Sequence, residues 1–142
     1  MIRFLIDTNI ISYLMKKKHP FHKSVMNTLL NQEEGSVAIS VISSCEIARG
    51  IEAVVEPLKK ETLLKAVQLI FSSIAVLEFN DDAAWEYGKV RTALINSGQD
   101  IGIMDSLIAA HAISQNLMLV THNLQHFQRI PHLKVTSWVE NL

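Results

Sequence analysis

The chain opens on a short, nearly continuous apolar run, Ile2, Phe4, Leu5 and Ile6, the pattern of a strand buried on both faces. Asp7, Thr8 and Asn9 close that run, and the period then changes, with Ile10, Ile11, Leu14 and Met15 recurring at helical spacing. The same succession returns down the chain. Phe21 to Asn31 carries Val25, Met26, Leu29 and Leu30 as a short amphipathic helix, broken by Gly35. Ser36 to Ile42 alternates and is rich in β-branched residues, which predicts a second strand, and Ile47, Ile51, Val54 and Val55 continue at helical period. Pro57 starts a further helix through Phe71, and Ile74 to Phe79 reads as the third strand. Asn80, Asp81 and Asp82 read as a loop and helix cap, followed by a helix over Ala83 to Asn96 in which Trp85, Tyr87, Val90 and Leu94 read as packing residues. Ser106 to Ser114 makes a small-residue, largely buried helix, Leu117 to Thr121 the fourth strand, and Lys134 to Thr136 a short edge strand. The order β-α-α-β-α-α-β-α-α-β predicts one α/β domain over residues 1–142, a central parallel sheet of four to five strands flanked by helices.

Composition narrows the class without naming a function. A chain of 142 residues, 49% hydrophobic, is long enough for one real core and too apolar for general disorder. No apolar run approaches a membrane span, and the N-terminus lacks the basic-then-apolar layout of a signal peptide. The single Cys45 forms no intrachain disulfide, which fits a reducing cytoplasm. A net charge of −1 argues against a generally basic nucleic-acid coat, although a local basic groove stays compatible with it.

Chemistry enters through four polar positions. Asp7 and Asn123 follow strands, Glu46 begins the helix after the second strand, and Asp105 begins the helix before the fourth. The carboxyl ends of parallel strands share one edge, so topology gathers three carboxylates and one amide into a single cleft. The three acids each have a plainer reading: Asp7 as a helix cap, Asp105 as an acid in a first helical turn, and Ser43-x-x-Glu46 as a capping box. Spacing alone favours the box for Glu46. Clustered carboxylates repel unless they protonate or bind a cation, and oxygen-only donors select Mg²⁺ or Mn²⁺. Such sites hydrolyse phosphodiesters. There is no zinc pattern and no phosphate-cradling Gly-rich motif. The plainer reading of His111 is a satisfied core histidine. Lys16, Lys17 and Lys18 read first as a solvated helix end, with phosphate contact as the second possibility.

In order and spacing, LIDTNIISYL, SSCEIARGIE, IGIMDSLIAAHA and LVTHNLQHFQRIPHLKVTSW resemble the PIN-domain ribonucleases, and within them the VapC toxins of type II toxin–antitoxin pairs. The resemblance spans essentially the whole chain and rests on all four blocks together. It implies a Mg²⁺- or Mn²⁺-dependent endoribonuclease acting on RNA, a homodimer, and inhibition by a small antitoxin whose tail covers the acidic site. Asp7, Glu46 and Asp105 match the family's acids, and Thr8, Asn9 and Thr121 match its supporting polar positions, which moves Glu46 from helix cap to metal ligand. Asn123 and His126 depart from the pattern, since many relatives carry acids there, and Asp100 and Ile103 stand where prolines are common. Arg49, one turn beyond Glu46, is placed to contact substrate phosphate or to pair with Glu46. A haloacid-dehalogenase-type phosphohydrolase needs a second Asp where this chain has Asn9. The remaining alternative is a catalytically weakened RNA-binding or interaction module on the same fold.

Overall fold

A computed structural model describes residues 1–140. Twelve elements follow one another among them: β1 (Phe4–Ile6), α1 (Thr8–Met15), α2 (His22–Leu30), β2 (Val37–Ser40), α3 (Val41–Glu52), α4 (Pro57–Ser73), β3 (Ala75–Leu77), α5 (Asp81–Asn96), α6 (Ile103–Ser114), β4 (Met118–Val120), α7 (Leu124–Phe127) and β5 (Val135–Thr136). The five strands form one parallel sheet in the order β3-β2-β1-β4-β5. The first strand therefore lies at the centre, with β2 on one side and β4 on the other. The chain reverses its direction of travel across the sheet between them, which is where open α/β sheets leave a crevice.

Period-two alternation assigns the strand residues to two cores. Leu5, Ala38 and Leu119 face one layer with Leu94, Ile108 and Phe127, while Ile6, Ile39 and Val120 face the other with Ile10, Val25 and Trp138. Trp138 packs edge-on against Phe4 at 5.6 Å, and its carbonyl accepts the Ser24 hydroxyl at 2.7 Å, which fastens the end of the chain onto α2.

Strand ends are shorter than the apolar runs suggest. The run from Ser36 to Ile42 yields only Val37–Ser40, because Ser40 stays extended (φ −75°, ψ 141°) and its hydroxyl accepts the Ile42 amide, so α3 begins at Val41. That overturns the capping box: Ser43 and Glu46 both lie inside α3, and Ser40 is its cap. The same helix ends at Glu52, leaving Val54 outside it and Val55 93% exposed. Val90 and Leu94 are buried as read, but Trp85 is 73% exposed on the outer face of α5. Asn80 caps α5 as expected, its side chain accepting the Ala83 amide. Glu56 caps α4 by accepting the amides of Leu58 and Lys59. The helix read from Ser106 already begins at Ile103, after Gly102 at φ +94°, a left-handed conformation that glycine adopts without strain. Asp100 accepts the Gly102 amide and pairs with Arg91 of α5, so an acidic residue shapes the turn into α6.

Candidate active site: an acidic pocket at the carboxyl edge of the sheet

Asp7 stands one residue beyond the central strand, and its backbone amide extends the ladder by donating to the Val120 carbonyl at 2.8 Å. Its side chain is 3% exposed and held from two sides. The Thr8 amide donates to Oδ1 at 2.8 Å, and the Thr121 hydroxyl, one residue beyond β4, donates to Oδ2 at 2.7 Å. Thr121 in turn accepts the Asn123 amide at 3.0 Å, so the turn after β4 is built around the residue that grips Asp7. The Thr8 hydroxyl donates to Glu46 Oε1 at 2.6 Å and lies 2.9 Å from the Ser43 hydroxyl, which ties α1 to α3. Asp105, in the first turn of α6, has Oδ2 3.6 Å from Nδ1 of His126 on α7. The Asn9 side-chain oxygen accepts the His122 amide at 3.4 Å.

Asp7, Thr8, Asn9, Glu46, Asp105 and Asn123 line one cavity of about 290 Å³, together with Ser12. The structure thus brings together the four polar positions that the sequence singled out. Thr121 lies behind Asp7 and outside the lining. One lining residue was missed in the sequence. Ser12 lies one helical turn after Thr8 on α1, a spacing that marks it as a neighbour. His126, singled out in the sequence as a departure from the family's acids, meets Asp105 only through the folding of α7, and no local pattern carries that contact. Arg49 is exposed and makes no ion pair with Glu46 among the described residues. Lys16, Lys17 and Lys18 are exposed beyond α1, bordering a different and larger groove. His111 is fully buried with Nδ1 2.7 Å from the Ser40 hydroxyl, a core histidine as read but only half satisfied, since its Nε2 is buried without a hydrogen-bond partner among the described residues, and burial holds its pKa below the usual value.

The electrostatics of the pocket are those of an anion cluster. Burial raises the Asp7 pKa from 3.8 to about 6 against the lowering effect of Thr121 and Thr8, and the charges of Asp105 and Glu46 push it further. Asp105 is also raised, chiefly by burial, with His126 opposing. No lysine or arginine lines the cavity to offset these charges. The donors are all oxygens, three carboxylates and an amide, which is the set a hard divalent cation prefers. Among the described residues no three or more Asp, Glu, His or Cys side chains are grouped closely enough to hold a metal ion. An ion such as Mg²⁺ keeps several water ligands, and the cavity has room for them. The donor chemistry and the space therefore suit such an ion, while the three carboxylates stand too far apart to grip one without water.

A central parallel sheet carrying clustered carboxylates at the carboxyl edge of its first strand defines an α/β protein with an acidic pocket at its topological switch point. The PIN-domain family model matches residues 4–133. Ribonuclease VapC2 of Rickettsia felis is 36% identical over 136 residues, covering 95% of this chain and 97% of its own. The tRNA(fMet)-specific endonuclease VapC of Salmonella typhimurium is 33% identical, covering 97% of this chain and 99% of its own. Among solved structures, VapBC2 from Rickettsia felis bound to a DNA fragment from its promoter superimposes with a TM-score of 0.86 at 34% identity, over 97% of this chain and 99% of that one. The chain belongs to the PIN-domain family and stands among its VapC members.

Proposed function

We propose that this protein is a Mg²⁺- or Mn²⁺-dependent endoribonuclease, the toxin of a toxin–antitoxin pair working in the cytoplasm. One observation carries the reading: Asp7, Glu46, Asp105 and Asn123, drawn from four separate segments, line a single pocket in a chain that matches named ribonucleases over nearly its whole length. A bound Mg²⁺ or Mn²⁺ would neutralise the carboxylates, polarise the scissile phosphate and acidify a water. Asp7, Glu46 and Asp105 would hold it. Thr8 and Thr121 fix the Asp7 carboxylate, and Thr8 also orients Glu46, so the two acids are positioned before any substrate arrives. Asn123 brings an amide that can accept from a water or donate to a phosphate oxygen without adding charge.

Two surface features support the proposed partners. An apolar groove of about 1110 Å³ runs between α1, α2 and α4, lined by Leu14, Met26, Leu29, Leu63 and Ile70 and rimmed by lysines. It suits an amphipathic antitoxin helix laid on its apolar floor, and the solved VapBC assembly supports such a partner. The exposed Trp85 indole is a large aromatic anchor for a second copy of the chain, in keeping with a homodimer. Among the described residues no helix is long and apolar enough to cross a membrane.

The test is cleavage of RNA by the purified chain with and without Mn²⁺. Asp105→Asn and Glu46→Gln should each lower the rate by at least about a hundredfold, about 2.7 kcal/mol of transition-state stabilisation, with the fold retained. Cleavage at the wild-type rate by either variant, or undiminished cleavage in EDTA, refutes the proposal.

A further inference from the structure

Four rings, none of them read as functional in the sequence, form a cluster on the rim of the acidic pocket. Tyr13 comes from α1, His19 and Phe21 from the connection to α2, and His122 from the turn after β4. Tyr13 and His19 lie nearly parallel with centroids 4.4 Å apart and planes inclined by 24°. Phe21 meets Tyr13 edge-on at 5.4 Å and His122 edge-on at 4.9 Å. The Tyr13 hydroxyl and His122 Nδ1 are 2.8 Å apart, which locks two of the rings together. All four are only half-buried, and Phe21 packs into neither apolar core. The cluster is a set of mutually packed rings, each partly exposed to solvent.

Its position links it to the pocket. His122 sits between Thr121, which grips Asp7, and Asn123, which lines the cavity, and its amide is bound to Asn9 on the cavity wall. The Tyr13 phenol is held above its usual pKa by burial and then by the charge of Asp7, so it lies within that carboxylate's field. Between Tyr13 and His19 in the chain come Lys16, Lys17 and Lys18, all exposed. An acidic pocket on a chain of net charge −1 repels RNA phosphates. Affinity must come from beside it, and ring stacking with a few cations is how proteins hold single-stranded nucleic acid without a basic coat.

We propose that Tyr13, His19, Phe21 and His122 form a nucleobase-stacking platform, which docks a base next to the scissile phosphate of single-stranded RNA. The platform rests on the ribonuclease reading and adds to it the means of holding substrate. Stacking needs only the faces of the rings, so it is tolerant of base identity and leaves sequence choice to other contacts.

The experiment measures binding of a short fluorescein-labelled single-stranded RNA to the Asp7→Asn chain, which cannot cut it, with Phe21→Leu or His19→Leu added. The same RNA carrying an abasic nucleotide at each position in turn is the control, and 2-aminopurine at those positions reports stacking by its quenching. Each added substitution should weaken binding of intact RNA by roughly tenfold, the effect of losing one stacked base. RNA that is abasic at the docked position should bind the substituted and unsubstituted chains alike, and Phe21→Trp and His19→Tyr should restore affinity and quenching. The platform is overturned if the loss is equal for intact RNA and every abasic RNA, or if RNA binding and 2-aminopurine quenching are unchanged by Phe21→Leu and His19→Leu. If the Asp7→Asn chain binds no RNA at all, the ribonuclease reading falls and the platform with it.

Discussion

The burial of the Asp7 carboxylate carries a measurable cost. In the metal-free protein its pKa rises from 3.8 to about 6, which corresponds to about 3 kcal/mol of destabilisation once the folded group is fully ionised. The sign follows from proton counts. Between those two values the unfolded chain has released the proton while the folded chain still holds it, so this group's contribution is most favourable at acid pH and is lost as pH rises through about 6. From pH 5 to pH 7.5 the loss is about 1.5 kcal/mol, or about 5 °C in melting temperature for a domain of this size. Asp7→Asn keeps a carbonyl oxygen for the Thr8 amide and an amide group for the Thr121 hydroxyl, and it removes the charge. In EDTA, the melting temperature of Asp7→Asn relative to wild type should therefore be about 5 °C more favourable at pH 7.5 than at pH 5. Adding Mn²⁺ at about a hundred times its dissociation constant should then raise wild type by about 2.7 kcal/mol, and the variant by much less. Equal differences between the two proteins at both pH values, or equal responses to Mn²⁺, would refute the account of Asp7 as a strained anion waiting for a cation.

Two further outcomes follow from the same residues. Ser40→Ala should cost about 2 kcal/mol in urea unfolding, since it removes the cap of α3 and the partner of buried His111 together, whereas Glu46→Gln should cost under about 1 kcal/mol because Glu46 caps nothing. Asn123→Asp should tighten Mn²⁺ about tenfold by titration calorimetry, worth about 1.4 kcal/mol, while the wild-type chain already cleaves RNA. If only the Asn123→Asp variant cuts, the natural chain is the binding module.

The fold was legible wherever the period of the hydrophobic pattern changed. The step from apolar run to helical repeat at Asp7 marks both the end of the central strand and the site, because in a parallel sheet those are the same place. Asp105 was legible for the same reason from the other direction, at the start of the helix that returns to β4. Where the chain turns without changing its composition, the sequence misled. Val41 and Ile42 are as suited to a strand as Val37 and Ile39, and only the backbone geometry of Ser40 decides that the helix has begun. With the boundary misplaced, Ser43 looked like a cap. Trp85 misled differently: an aromatic at helical spacing reads as core, but α5 presents it outward. The contact of His126 with Asp105 and the ring cluster around Tyr13 were not legible at all, since each joins segments distant in the chain and depends on side-chain directions that no local pattern encodes.

The grip on Asp7 has a consequence for synthesis. Thr8 is its immediate neighbour, but Thr121 lies 114 residues further along, and Asp105 and Asn123 are equally late in the chain. Closing that contact needs β4 docked against β1, a pairing of high sequence separation that forms only after the long loop between them is ordered. A ribosome that has made everything through α5 has therefore built two of the three acids and none of their far-side support. Truncated or stalled products carry no assembled centre, so the activity we propose switches on only when nearly the whole polypeptide has emerged.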